Sequence, residues 1–596
     1  MDASGDALFE ELRARADAGE TPLDLLLGLA LSMAEAGSND RSLAAPLREA
    51  GGREPASPVA CGDGDPGLLG RAHELLLGSA DRHDGGVHYT PSAVANGVVD
   101  LALRGRFERA KPAPIVCDPT VGGGAFLLAA GRWLAVAGHD PAVLAAHHLK
   151  GADIDPIAVA VSRVALSLWA DTPVPAESIV VADSLVARVW VPGSIDVVLG
   201  NPPFLSQLGA RTARGRATAG AVAKRFRSLT DTDVVSAYTD TAALFLLVGL
   251  ELVGEQGRVA LVEPLSILAA RDAGNVRDVC AAHSRLEHLW YGPSGTFDAA
   301  VAVCAPVLAV DAGAPAPPAE VRLWSGMEFE AGGSAAPPKV GESWAVLAAP
   351  LLGIPLVELS ADSLLGDVAG ATAGFRDEYY AVTAVLREAS GDAAERPVLS
   401  VGLVDPLRSY WGLRSARLGG RAFTAPVAVL ADLADAPKAL AWVERLQVPK
   451  LLLATQSATV EVWVDEQGDV VPLTPVVAVM APPDRLWHLA AALSSPAITA
   501  WAARLTLGAA RSVSAVKLAA RQVLQVPLPP DGDDWDQGAV WAQRAQAATH
   551  AGAWRAAVDE MATAMDRAYG VDPAVGAWWR GRRAGADARV ERFTGP

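Results

Sequence analysis

Between residues 114 and 310, short apolar runs alternate with helix-like segments, and no other feature narrows the fold as far. The runs are PIVCDPT, HHLKGADID, SIVVADSL, DVVLGNPP, RVALVEP, LEHLWYG and VCAPVLAV. Strands separated by helices return to the same edge and pair in parallel, with the helices covering the sheet. The expectation is an α/β domain built on a mainly parallel sheet.

At 596 residues the chain exceeds one core and has room for roughly three or four domains. No apolar run reaches the roughly 18–20 residues that span a bilayer, and the acidic start MDASGDALFEELRARAD is not a signal peptide. Cys61, Cys117, Cys280 and Cys304 are scattered without a Cys/His cluster, so a reducing, cytoplasmic setting and no metal site are expected. The net charge of −18 speaks against a generic nucleic-acid binder. That charge is uneven. Residues 205–230 carry six basic side chains (Arg211, Arg214, Arg216, Lys224, Arg225 and Arg227) and no acidic one, which reads as a basic loop.

Two motifs sit where a ligand would meet the sheet. In VCDPTVGGGAFLLAA a strand ends at Asp118-Pro119, glycines fill 122–124, and a helix begins near Ala125. Glycines allow a tight turn and a close ligand approach at a helix N-terminus, although an ordinary strand–helix turn is the alternative. Asp153 closes the second strand, where a carboxylate binds ribose hydroxyls. Asp155-Pro156 opens the next helix, and the alternative makes both aspartates helix caps. Asp183, ending the third strand, is placed to accept from a nucleoside amine. An adenosine-containing cofactor fits, and contiguous glycines after Asp-Pro are not the dinucleotide GxGxxG pattern.

The fourth strand ends in Asn201-Pro202-Pro203-Phe204. An exocyclic amine on a base is a poor nucleophile because its lone pair is delocalised. The Asn201 side-chain carbonyl and the Pro202 main-chain carbonyl, the latter held extended by the next proline, are two acceptors for its N–H bonds. Phe204 adds a flat surface for the ring.

In this order, HYTP (88–91), DPTVGGGAF (118–126), GADIDP (151–156), ADSL (182–185) and NPPF (201–204) resemble the γ-class N6-adenine DNA methyltransferases. The likeness runs on through LFLLVGLELVGEQGRVALVEPLSIL and GTFDAAVAVCAPVLAV, and more loosely to QVLQVPLPP, covering about 70–530. It implies a Rossmann-like S-adenosylmethionine-dependent domain, a C-terminal α+β target-recognition domain and helical extensions. The expected boundaries are 1–80 (helical extension), 81–325 (catalytic), 326–530 (recognition) and 531–596 (helical tail).

The resemblance also implies roles. Tyr89, Thr90 and Pro91, with Asp118, Pro119, Gly122, Gly124 and Phe126, hold the methionine part of S-adenosyl-L-methionine. Asp153 takes its ribose, Ile154 its adenine ring and Asp183 the adenine amine. Asn201 and Pro202 take the target amine, Phe204 stacks on the flipped base, and Phe297 is either a second base contact or a core residue. Arg211, Arg214, Arg216, Arg414, Arg417, Arg421, Arg511 and Lys517 are expected to touch double-stranded DNA, with Arg408 and Arg521 beside them. Phe204 stands where Tyr is common, and the usual Gly-x-Gly is Gly-Gly-Gly here, with Gly123 at the variable middle position.

The expected function is methyl transfer to N6 of adenine at specific DNA sites, in a restriction-modification or phage-defence system, with a separate nuclease or defence subunit admitted as partner. The alternatives are methylation of RNA adenine or protein glutamine, and a non-catalytic DNA-binding subunit. Tryptophans in the tail read as helix packing or as a docking element.

Overall fold

The computed structural model describes residues 3–61, 64–77, 90–204, 213–227, 239–292, 295–296, 302–311, 320–360, 362–374, 376–454, 456–507 and 515–594, with backbone alone at 3–5, 213–219, 376 and 594. They fall into two compact units, Met1–Leu351 and Leu352–Pro596. Among the described residues no helix is long and apolar enough to cross a membrane.

The first unit opens with helices α1 (Ala3–Asp17), α2 (Pro22–Ala36), α3 (Gly67–Leu76) and α4 (Ser92–Leu103). Thr21 caps α2 by accepting from Asp24 N at 3.2 Å, and Pro22 takes the first turn, where a missing N–H costs nothing. Strands β1 (Val116–Asp118), β2 (Leu149–Asp153), β3 (Ile179–Val181), β4 (Ile195–Gly200) and β5 (Val253–Leu261) follow, with α5 (Ala125–Val136) after β1, α6 (Pro156–Ala170) after β2, and α7 (Ala213–Phe226) and α8 (Thr241–Leu252) between β4 and β5. After β6 (Glu263–Pro264) and α9 (Gly274–His283) come β7 (Arg285–Gly292), β8 (Val303–Ala309), β9 (Val321–Ser325) and β10 (Glu330–Ala335).

All ten strands form one sheet in the order β10-β9-β7-β8-β5-β4-β1-β2-β3, with β6 on β8. The path from β3 to β5 is parallel, as the alternation predicts. β8 runs antiparallel to both β5 and β7, because the β7–β8 connection is shorter than a helical crossover requires. Leu12, Leu25, Leu69, Val98, Leu127, Val161 and Val197 belong to one apolar cluster, so the N-terminal helices share their core with the sheet.

The β9–β10 hairpin returns to this core. Phe329 stacks on Trp290 with ring centroids 4.9 Å apart. It also fills the space over α4 that the lack of a side chain at Gly97 leaves, since a Cβ there would lie 2.1 Å from the ring.

In the second unit Gly370–Ala373, Val477–Met480, Lys450–Ala454 and Glu461–Asp465 form an antiparallel sheet in that order. A second sheet joins Arg387–Glu388, Pro426–Val429, Glu395–Leu399 and Val471–Pro472. Helices Asp533–Ala547, Ala551–Tyr569 and Pro573–Thr594 complete it. Trp535, Trp554 and Trp579 are buried, so these tryptophans pack the bundle. Burying one such ring stabilises by at most roughly 4–6 kcal/mol. The Lys450 ammonium is fully buried against Asp465, whose carboxylate also accepts from Gly468 N and Val470 N.

Candidate active site

The strand order reverses at β1. From there the chain moves outward to β2 and β3, and later returns to lay β4 and β5 on β1's other side. Loops leaving β1 and β4 diverge at such a point, and the crevice outside their carboxyl ends is where open α/β sheets take ligands. Asp118 ends β1 and Gly200 ends β4. They touch: a Cβ on Gly200 would stand 2.7 Å from Asp118 Oδ1. The glycine turn and the Asn-Pro-Pro-Phe corner therefore leave the sheet side by side.

Asp118 is 2 % exposed and accepts from Thr120 N at 2.9 Å and Thr120 Oγ1 at 3.3 Å. Burial pushes its carboxyl up to about 7 despite those donors. Pro119 is buried after it, and the turn follows. Gly122 (φ +48°) and Gly124 (φ +84°) occupy left-handed backbone that only glycine adopts readily. Gly123 does something else. A Cβ there would lie 2.3 Å from Gly70 Cα, so the turn rests directly on the backbone of α3. Ser162 Oγ donates to Gly122 O at 2.5 Å from α6, which braces the turn on the sheet side. Phe126 is 2 % exposed, and its ring belongs to the core cluster.

Asp153 accepts from Gly122 N and Asp155 N, each at 2.9 Å, so it ties the glycine turn to the start of α6. Burial raises its pKa. Asp155 caps α6 by accepting from Ile157 N at 2.9 Å, and burial there is outweighed by His73 and that N–H, which hold its pKa low. Ile154 is 72 % exposed, an unusual position for an aliphatic side chain at the mouth of a crevice. Asp183 is exposed and accepts from Leu185 N at 3.0 Å.

At the other corner Asn201 is half-buried and Pro202 buried, while Phe204 is half-buried and packs along the core's edge. Asn201 Nδ2 donates to Thr90 Oγ1 at 3.1 Å. Thr90 is 7 % exposed and precedes Pro91, the N-cap of α4.

The basic segment differs from the expected loop, because Ala213–Phe226 is an α-helix. Arg225 is not presented to solvent. Its guanidinium binds Glu251, at 2.9 Å through Nε, and the carbonyls of Ser184 and Ala187 in the turn that follows Asp183. Lys224 and Arg227 are exposed. In the second unit Arg417 and Lys517 are exposed, as is Arg521. Arg414 donates to Gly402 O at 2.9 Å, and Arg421 to Thr383 O at 2.9 Å. Arg408 binds Ala548 O. Tyr89, Phe297, Arg211 and Arg511 lie outside the described residues, as do the side chains of Arg214 and Arg216.

The structure adds residues that no sequence motif marks. His73 of α3 lies 3.3 Å from Asp155. Glu263 follows β5, which pairs with β4 at Leu261 and Gly200; it is fully buried, and among the described residues neither carboxyl oxygen has a hydrogen-bond partner. Burial, then Asp240, raises its pKa well above the ordinary carboxylate range. An acid inside an apolar strand (VALVEPL) is the available signal.

Residues 64–309 match the N-6 DNA Methylase family. No curated protein matches the chain. Among solved structures, DrdV in complex with DNA is 11 % identical with a TM-score of 0.51, over 92 % of this chain and 69 % of that one. The type IIG restriction endonuclease BpuSI is 14 % identical with a TM-score of 0.42, over 95 % and 80 %. A modification subunit of a type I restriction enzyme from Vibrio vulnificus YJ016 is 21 % identical with a TM-score of 0.34, over 43 % and 51 %, so this chain spans about half that subunit's length.

Proposed function

We propose that this chain, whose residues 64–309 match the N-6 DNA Methylase family, transfers a methyl group to N6 of an adenine extruded from double-stranded DNA. The observation that carries the reading is the contact of Gly200 with Asp118, which sets the Asn-Pro-Pro-Phe corner beside the glycine turn at the sheet's switch point. The residues present fit S-adenosyl-L-methionine as cofactor. The glycine turn leads into the N-terminus of α5, and a Cβ on Gly122 would meet only Thr120 O, at 3.9 Å, among the described residues. Asp153 would hold the ribose, Ile154 would lie on the adenine ring, and Asp183 would accept from its amine. When bound, that cofactor supplies a methyl group already activated on a sulfonium.

The chain's own part is then to hold and orient. Asn201 Oδ1 and the Pro202 carbonyl accept the two N–H bonds of the target amine and favour a pyramidal nitrogen with a usable lone pair. Phe204 lies against the base. Extruding a paired adenine costs a few kcal/mol, and one aromatic stack returns roughly 1–3 kcal/mol, so Phe204 offsets much of the cost. The remainder falls to phosphate and base contacts, for which exposed Lys224, Arg227, Arg417 and Lys517 are the candidates. The amine loses its proton after attack, so no strong base need face it. A restriction-modification or defence setting, with a separate nuclease, agrees with this reading.

Sequencing of modified bases in DNA from a host expressing this chain alone tests it. N6-methyladenine at a defined motif is expected, and its loss in Asn201→Ala with cofactor binding retained. Unmodified DNA with methylated RNA or protein would replace the substrate. Normal methylation by Asn201→Ala would remove Asn201 from the reaction.

A further inference from the structure

We infer that Thr90 is a positioning residue for the target amine, whose hydroxyl fixes the side-chain amide of Asn201. The inference rests on the proposed methyl transfer and moves Thr90 away from the cofactor, where the family resemblance puts it. Thr90 Oγ1 accepts from Asn201 Nδ2 at 3.1 Å, and the two residues come from distant parts of the chain.

The chemistry explains why that bond matters. A terminal amide has two orientations about its last torsion that exchange oxygen and nitrogen at nearly the same positions. Only one of them offers an acceptor to an N–H bond of the target; the other sets a donor against a donor. In the orientation observed Nδ2 donates to Thr90 Oγ1, which leaves Oδ1 at the other edge of the planar amide group. An acceptor on the amide N–H polarises that bond toward nitrogen, which feeds density through the amide to its carbonyl and makes the carbonyl a better acceptor.

Thr90 is built to hold still. It is 7 % exposed, and its β-branched side chain has little freedom about its first torsion. It leads through Pro91 into α4, and α4 is seated by the ring of Phe329 over Gly97. Asn201, by contrast, stands just beyond the last residue of β4.

Thr90→Val keeps the shape and removes the oxygen, and Thr90→Ser keeps the oxygen. The full chain would be assayed for DNA methylation and, separately, for S-adenosyl-L-methionine binding by calorimetry. For Thr90→Val, kcat should fall about tenfold, the factor that one lost hydrogen bond of this kind gives, while the cofactor Kd stays within about twofold. Thr90→Ser should retain most of the rate. Unchanged kcat in Thr90→Val overturns the inference, and so does a loss confined to cofactor affinity. Asn201→Ala is run alongside. If it abolishes turnover while Thr90→Val does not slow it, the inference alone fails. If the wild-type chain leaves DNA unmodified, the reading beneath it fails too.

Discussion

Replacing Gly123 by alanine tests whether the glycine turn depends on α3. The new methyl would stand 2.3 Å from Gly70 Cα. Carbon atoms in contact prefer about 3.5–4.0 Å, so more than an ångström of overlap must be relieved. The opposing atom is backbone and has no rotamer to change, so α3 must move off the turn. Overpacking of this kind costs about 1–3 kcal/mol, and a clash with backbone belongs at the upper end. Hydrogen exchange over residues 67–76 would report it as about a hundredfold loss of protection. Gly70→Ala should act alike, because its Cβ would meet Gly123 O at 2.8 Å. The double variant should cost less than the two singles together, since a helix already displaced meets no second clash. Gly122→Ala is the control: it strains left-handed backbone by about 1–2 kcal/mol, and its Cβ would make only an ordinary contact with Thr120 O at 3.9 Å, so protection of α3 should hold. Unaltered exchange of 67–76 in Gly123→Ala would refute the reasoning.

Asp118 keeps its proton up to about pH 7 when folded and releases it near 3.8 when unfolded. Its burial therefore costs nothing at pH 3 and grows through the window from 4 to 7, reaching roughly 4 kcal/mol above it. Denaturation of Asp118→Asn should show that the variant gains on the wild type as pH rises through that window; parallel pH profiles would contradict it. Lys450→Met leaves Asp465 charged and buried without its cation, and should cost about 3–5 kcal/mol, read as faster exchange in 450–465; Lys450→Met with Asp465→Leu should recover most of it. Arg225→Ala should loosen the 184–187 turn by about 2–3 kcal/mol while leaving the salt dependence of DNA binding unchanged. Replacing Lys224 and Arg227 should instead flatten that dependence by about one power of salt concentration for each phosphate left without its cation.

Local pattern carries much of this. The strand runs, the Thr21-Pro22 and Asp155-Pro156 helix starts, and the turns at the ends of β1 and β4 are short-range features, written in periodicity and in glycine and proline placement. Periodicity cannot tell which way a strand runs, so the antiparallel course of β8 is signalled only by the short connection from β7. A string of basic residues reads as a solvated loop until packing shows that Arg225 has Glu251 and two carbonyls to satisfy. The glycine at 123 looks redundant in the sequence because its reason, Gly70, lies in another helix. Thr90 and Asn201, 111 residues apart, carry no shared local signal either.

Phe329 bears on how such a chain could be cut and rejoined. Its hairpin straddles the end of the expected catalytic segment at 325, yet its ring seats the helix that begins just after Thr90. A shorter fragment ending at 325 would lose that wedge and leave an empty slot over Gly97. Chimaeras meant to exchange DNA preference between relatives should accordingly be spliced after Leu351, with the hairpin inherited from the parent that supplies the chemistry.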